Sequence, residues 1–214
     1  MNQTYKNAAL AALKGNWAAA VVATIVMYAV CYLLMGPYFA TTFSIAGFSS
    51  PVAIGACLGV SYVGMFFLMM PLYVGVTYTF NQLLTDGDAR LTSNMFGNAF
   101  DGYLKNVWAM FLYTIFIFLW SLLFLIPGII KAYAYSMTPY ILKDNPELSA
   151  NEAINLSCKM MKGHKFDLFL LHLSFIGWCI LNVFTFGIGM LWLMPYMTTA
   201  QAAFYQDIKK DFIK

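Results

Sequence analysis

The sequence predicts an all-α fold: a polytopic bundle of transmembrane helices forming one integral membrane domain over residues 1–214. The chain is 61% hydrophobic, 18% aromatic and only 10% charged, whereas a soluble domain carries about 25% charged residues. Its apolar residues lie in six long runs with few charges, which is the pattern of membrane-spanning helices. Despite a net charge of +3, the cations do not form the basic cluster that nucleic acid requires. The expected partners are therefore membrane lipids.

The six apolar runs differ in length. The first two cover about 28 Å and about 43 Å, enough to cross a hydrocarbon core of about 30 Å. The fourth covers only about 22 Å, so it extends into the next residues, thins the bilayer or re-enters on the same side. Pro127 and Gly128 are predicted to break the helix between the third and fourth runs. We predict six crossings, with four or five as the alternative. The runs are 17–35, 52–80, 107–126, 128–142, 166–184 and 188–205.

Basic residues are unevenly distributed around these runs. With six crossings, one side holds 11 of the 12 Lys and Arg residues, in segments 1–16, 81–106, 143–165 and 206–214. The connections on the other side hold no charged residue. Because cytoplasmic loops carry an excess of Lys and Arg, both termini are predicted to be cytoplasmic.

An internal repeat divides the chain into three hairpin units, roughly 4–80, 92–142 and 149–205. Each unit begins with a short amphipathic segment that ends in glycine, and each return helix carries a proline with a tyrosine close behind it. Because proline removes a backbone donor, we predict a kink at each of these prolines. The alternative is that proline and glycine are simply frequent in membrane helices. The segments are 4–15, 92–102 and 149–163, and the prolines are Pro71, Pro139 and Pro195.

The third amphipathic segment carries the clearest helix signals. Ser149 followed three residues later by Glu152 is a capping box, which satisfies free backbone donors at a helix start. Lys159 and Lys162 then lie on its polar face, and Lys165 follows at the start of the next apolar run. Such a helix is expected to lie in the membrane interface with its lysines toward anionic headgroups. The alternative is a helix that binds a partner.

No residue pattern predicts a catalytic centre, a metal site or a cofactor. His164 and His172 are eight residues apart, about 12 Å along a helix, which is too far for one metal ion. The four cysteines form no CxxC motif and have no zinc-like spacing with histidine. Three of them lie inside apolar runs, where cysteine usually acts as a small hydrophobe.

Two ionisable residues are candidate contacts for a ligand or lipid. His172 lies deep in the fifth run, and an ionisable residue within a span is a functional candidate. A neighbouring backbone group or the Ser174 hydroxyl is the alternative partner of His172. Lys131 is the single cation away from the cytoplasmic side. It either contacts an anion, snorkels to the outer interface, or caps the carbonyls that end the third helix near Ile126.

A resemblance to a known family rests on two stretches: residues 123–178, LFLIPGIIKAYAYSMTPYILKDNPELSANEAINLSCKMMKGHKFDLFLLHLSFIGW, and residues 13–17, LKGNW. The run IPGIIKAYAYSM, with MKGHK followed by LSFIGW, is the specific part. The chain resembles, over nearly its whole length, a bacterial multi-pass membrane family catalogued as domain of unknown function 975. The resemblance implies a bacterial cytoplasmic membrane and no established activity, so it transfers no catalytic residue. A more distant similarity, in hairpin layout, is to the membrane domain attached to some glycerophosphodiester phosphodiesterases, whose chemistry belongs to a separate soluble domain.

These observations predict a non-catalytic inner-membrane protein that binds lipid or supports another membrane protein. An intramembrane enzyme needs paired acids, a histidine cluster or a nucleophile with its base, and the apolar runs offer one histidine and no deep acid. The alternative is a transporter for a small solute or lipid, which the three prolines, Lys131 and His172 satisfy only in part.

Overall fold

The computed structural model describes residues 2–42 and 50–213, and these residues form α-helices joined by short connections and one π-helical turn. The prediction of an all-α fold is confirmed. The π-helical turn, Met65–Met69, joins α3 to α4. The helices are α1 (Asn2–Leu13), α2 (Trp17–Thr42), α3 (Pro51–Gly64), α4 (Met70–Asp86), α5 (Leu91–Phe100), α6 (Tyr103–Leu123), α7 (Leu125–Tyr135), α8 (Thr138–Asp144), α9 (Ala150–Met160), α10 (Lys165–Leu173), α11 (Ile176–Phe184) and α12 (Met190–Ile213).

Four stretches of the described chain are long and apolar enough to cross a membrane: Trp17–Pro37, Ile54–Asp86, Tyr103–Leu123 and Lys165–Phe184. They support the prediction of a membrane protein. The predicted return run 128–142 is not one helix, because α7 ends at Tyr135 and α8 begins after a two-residue turn. With 11 residues, α7 covers about 16 Å, roughly half of a hydrocarbon core.

The break predicted at Pro127 and Gly128 lies instead at Phe124, whose extended backbone (φ −161°, ψ 150°) separates α6 from α7. Pro127 lies in the first turn of α7, where a missing N–H removes no intrahelical bond. Gly128 serves a different purpose from the one predicted. A Cβ atom at this position would overlap the Ser121 side chain, so Gly128 allows α6 and α7 to pack closely.

Two of the three predicted prolines lie where a return helix changes its geometry. Pro71 follows the π-helical turn at the start of α4. Because proline has no N–H, the carbonyl four residues earlier loses its helical donor; the hydroxyl of Tyr103 donates to that carbonyl, on Phe67, at 2.9 Å. Pro139 lies at the start of α8, and the corresponding carbonyl, on Tyr135, accepts from Thr138 Oγ1 at 2.7 Å. The third, Pro195, lies inside α12.

Helices α1, α5 and α9 fall on the three predicted amphipathic segments. The glycine that ends each segment has a left-handed backbone: φ is 87° at Gly15, 66° at Gly102 and 93° at Gly163. Side chains disfavour this conformation, so glycine is required at each turn. The capping box of α9 is confirmed, since Ser149 and Glu152 each bond the other's backbone N–H, at 3.4 and 2.8 Å.

The three short helices pack in a cyclic order. Helix α5 packs against α4, α9 against α7 and α8, and α1 against α12. The second and third short helices thus pack against the return helix that precedes each of them, and the first short helix, α1, packs against the last return helix, α12. The ring is closed by Tyr5, whose hydroxyl donates to Asp207 Oδ2 at 2.6 Å. On α9, the Ser157 hydroxyl donates to Ala134 O and accepts from Met137 N, at the break between α7 and α8.

The bundle has a packed end and an apolar, exposed end. At the packed end, α4 packs against both α8 and α12, and the rings of Tyr140, on α8, and Tyr205, on α12, stack with centroids 4.6 Å apart. At the other end, apolar side chains of the α6–α7 and α11–α12 connections are exposed, including Leu125 at 72% and Phe186 at 97%. This exposed apolar end is the part suited to contact lipid.

Candidate functional site

A groove of about 540 Å³ opens between the start of α2, one face of α1, and helices α11 and α12. This volume falls within the roughly 300–1,000 Å³ range of small-molecule sites. Three of the five tryptophans in the chain line it, on three different helices. The apolar lining consists of Leu10, Trp17, Trp178, Leu181, Trp192, Leu193 and Tyr196.

The far end of the groove is the turn between α11 and α12. Thr185 Oγ1 donates to the Asn182 backbone oxygen at 2.9 Å and accepts from Gly189 N at 3.1 Å. Gly187, at φ 86°, provides the left-handed residue that the turn needs. A Cβ at Gly189 would lie 2.7 Å from Asn182 Oδ1, so a larger residue there would displace the Asn182 side chain. The polar groups of this end are therefore largely held by one another.

The near end of the groove lies beside a lysine. Lys6 Nζ donates to the Ser174 backbone oxygen at 2.9 Å, and lies 4.3 Å from the centroid of the Phe175 ring. That ring meets the groove-lining ring of Tyr196 edge-on at 5.0 Å. Leu10, one helical turn after Lys6 on α1, also lines the groove. Burial lowers the pKa of the Lys6 ammonium, since an apolar setting disfavours the charged form.

Residues 122–211 match the family model described as Protein of unknown function (DUF975). The match supports the family that the sequence resembles. It is narrower than the predicted resemblance, because residues 1–121, including LKGNW, lie outside the matched region. No curated protein and no solved structure matches the chain. The similarity to a phosphodiesterase-associated membrane domain therefore stays a prediction.

The DUF975 match covers one wall of the groove. Helices α11 and α12, with Trp178 and Trp192, lie inside the matched residues, whereas the wall formed by Leu10 and Trp17 precedes them. The description of the family states no activity, and no site residue is taken from it.

The two candidate contact residues predicted from the sequence do not line this groove and have partners of their own. His172 Nδ1 lies 3.4 Å from the Tyr133 hydroxyl, and the centroids of the two rings are 5.7 Å apart. The alternative partner Ser174 instead donates its hydroxyl to Leu171 O. Lys131 Nζ lies 4.5 Å from the centroid of the Trp120 ring, a cation–π contact. The structure does not join His172 and Lys131 into one site.

The lysines predicted to face headgroups occupy the outer face of the third repeat. Lys159 and Lys162 are exposed and Lys165 is half-exposed, while Ala153 and Ile154 on the opposite face are buried against protein. The apolar face of α9 is therefore covered by neighbouring helices.

The sequence analysis identified neither the lysine beside the groove nor the tryptophans of α11 and α12 that line it. Lys6 lies in the basic segment 1–16, Trp178 in the apolar run 166–184 and Trp192 in the run 188–205, and none of the three was singled out. One signal was available: Lys6, Leu10 and Lys14 recur at four-residue spacing, which places an apolar residue between two cations on one helix face. Within residues 2–42 and 50–213, no group of three or more His, Cys, Asp or Glu side chains is arranged to hold a metal ion.

Proposed function

We propose that this chain is a non-catalytic, multi-pass protein of the bacterial cytoplasmic membrane that binds lipid in the groove between α1, α2, α11 and α12. The observation that carries the proposal is the groove itself. Its volume of about 540 Å³ is enough for part of an acyl chain, it is lined by tryptophan, leucine and tyrosine, and it lies on helices that carry other exposed apolar side chains.

Binding of a lipid in this groove depends on close packing and headgroup contacts more than on the hydrophobic effect. An acyl chain that enters the groove leaves an environment as apolar as the groove, so the hydrophobic effect adds little. Close packing against the rigid rings of Trp178 and Trp192, and contacts to the headgroup, must therefore provide the selectivity. The tryptophans supply large, rigid surfaces that lose little conformational entropy on binding.

For the membrane arrangement, we propose three hairpins that enter from the same side, each preceded by one short helix near the cytoplasmic interface. A hairpin that fails to cross returns its chain to the starting side, so both termini remain cytoplasmic in either case. The second hairpin decides between six crossings and four. The short α7, and a tip from 122 to 130 without a charged residue, favour four. In that arrangement α12 crosses, and α6 enters the membrane without crossing it, although α6 is long enough to cross.

The turn of the second hairpin is suited to a tip that remains inside the membrane. Phe124 N donates to Trp120 O, and Gly128 N donates to Phe124 O, both at 3.3 Å. Pro127 has no N–H to satisfy. Backbone polar groups in hydrocarbon need internal partners, and these contacts supply them for the Phe124 and Gly128 N–H groups.

The experiment that tests lipid binding fills the groove. Leu181→Trp places a larger side chain on a lining residue, whereas Ile180→Trp changes its neighbour on α11, which does not line the groove. The two side chains are matched, at 60% and 58% exposed. Native mass spectrometry in mild detergent should show lipid on the unmodified protein and on Ile180→Trp, and its loss from Leu181→Trp.

Equal lipid occupancy in both variants would contradict the groove as the site. A stoichiometric second polypeptide in place of lipid would support the accessory role instead. The transporter alternative needs a separate test. If it is right, the purified protein in vesicles should move lipid from one leaflet to the other.

A further inference from the structure

We infer that the groove is selective for an anionic phospholipid, whose phosphate lies at the Lys6 end. This inference rests on the proposed function, since it concerns the headgroup of the lipid whose acyl chain occupies the groove. It adds a ligand class and two residues that form no part of the groove lining, Lys6 and Lys14.

The first observation is that Lys6 is half-buried without a carboxylate partner. The ion pairs among the described residues involve Arg90, Lys143, His164 and Lys209, and none includes Lys6. An ammonium group has three N–H donors, and the structure gives Lys6 one acceptor, the Ser174 oxygen at 2.9 Å. Two donors remain for an anionic oxygen.

The second observation is the position of the charges relative to the groove. Lys6, Leu10 and Lys14 lie at four-residue spacing along α1 and its last turn, and Lys14 N still bonds to Leu10 O at 3.0 Å. They therefore share one face, with the groove-lining Leu10 between two cations. Helix α1 carries no acidic residue. A phosphate above Leu10 would meet positive charge on both sides.

The third observation is that this end of the groove is held in place. The neighbouring Tyr5 hydroxyl donates to Asp207 at 2.6 Å, and the Tyr5 ring packs edge-on against Phe204 at 5.5 Å. These contacts fix α1 on α12, which forms the opposite wall. A preorganised cation can select a headgroup because its position requires little rearrangement on binding.

The test compares two lipids with identical acyl chains, phosphatidylglycerol and phosphatidylcholine, added to delipidated protein and detected by native mass spectrometry. The unmodified protein should prefer phosphatidylglycerol by about tenfold, the effect expected of one charge-assisted hydrogen bond. Lys6→Met should abolish most of the preference, Lys6→Arg should retain it, and Lys14→Met should reduce it. Lys162→Met removes an exposed lysine in the turn after α9 as the matched control and should leave the preference unchanged.

Equal binding of both lipids by the unmodified protein would overturn the selectivity while leaving lipid binding in place. Loss of preference in Lys162→Met as large as in Lys6→Met would also overturn it, because net charge and not position would then be responsible. Failure of both lipids to bind would contradict the proposed function itself. The thermal midpoint of Lys6→Met in the same detergent should equal that of Lys6→Arg, which checks that Lys6→Met is folded.

Discussion

The carboxylate of Asp144, at the end of α8, accepts a hydrogen bond from the Tyr205 hydroxyl on α12 at 2.6 Å. The same carboxylate pairs with Lys209 Nζ at 2.5 Å, and its side chain is 10% exposed. A nearly buried carboxylate depends on such donors. This contact joins the second and third repeats at the packed end of the bundle.

Removing the Tyr205 hydroxyl should therefore destabilise the protein. In Tyr205→Phe the ring still stacks on Tyr140, so the change reports the hydroxyl alone. We expect a loss of about 1–3 kcal/mol, the cost of leaving a buried acceptor short of a donor, measured as a lower thermal midpoint in detergent. Tyr62→Phe, at a ring that is 67% exposed, is the control. Equal midpoints for the two variants would show that the bond to Asp144 contributes nothing.

The close approach of α6 and α7 makes Gly128 sensitive to a single methyl group. Gly128→Ala should lower the thermal midpoint, because its Cβ would overlap the Ser121 side chain and overpacking typically costs about 1–3 kcal/mol. Gly97→Ala is the matched comparison, since nothing lies within 4 Å of the added Cβ on α5. There alanine should be neutral or stabilising, by up to about 1 kcal/mol. The reverse order of the two midpoints would be inconsistent with the packing of the second hairpin.

The connection between α4 and α5 contains a titratable pair that lies outside the spanning segments. Arg90 bonds to Asp88 through Nε and Nη2, and together with Asn94 holds the pKa of the Asp88 carboxyl well below its usual range. A lowered pKa gives stability that is present above the ordinary value of about 3.9 and is lost as pH falls through the lowered one.

The Asp88 carboxyl should therefore remain ionised at about pH 3.9, where an ordinary aspartate is half protonated. Carbon NMR titration of the carboxyl measures this directly. Arg90→Gln should raise the pKa toward the usual value, and Arg90→Lys should do so only in part, because lysine keeps the charge but lacks the two-pronged geometry. An unchanged titration in Arg90→Gln would contradict the assigned cause.

The topology is tested with single cysteines in a variant whose four native cysteines have been replaced. A cysteine at Ser50, before α3, should react with a reagent confined to the outside of the cell, and one at Asn155, on α9, should not. A cysteine at Leu125, at the tip of the second hairpin, should be protected if that hairpin ends within the membrane. Labelling at Leu125 would instead establish the six crossings predicted from the sequence. Labelling at Asn155 would show that the orientation is the opposite of the one predicted.

The sequence predicted the features that depend on near neighbours. The three short helices, the glycines that end them and the capping box of Ser149 and Glu152 are local, and each leaves a recognisable residue pattern. The break at Phe124 was misplaced because proline signals two different things: it interrupts a helix interior, but it is accepted in a first turn. Pattern alone did not separate these two cases.

The groove could not be predicted because its walls are distant in sequence. Lys6 bonds to Ser174 across 168 residues, and Leu10 lines the same space as Trp192. Hydrophobic periodicity shows which face of a helix is apolar, but not which other helix leaves that face uncovered. His172 and Lys131 stood out because charge within an apolar run is visible in sequence, whereas the aromatic partners Tyr133 and Trp120 were not.

The most direct test of lipid binding in the groove is photocrosslinking with a phosphatidylglycerol that carries a diazirine on its acyl chain. After crosslinking in vesicles, peptide mass spectrometry should find the label concentrated on α11 and α12, around Trp178, Leu181 and Trp192, and reduced by excess unlabelled lipid. Equal labelling of other exposed apolar surface, such as Val60 at 66% exposed, with no competition, would mean that the protein contacts bulk lipid and has no lipid site in the groove.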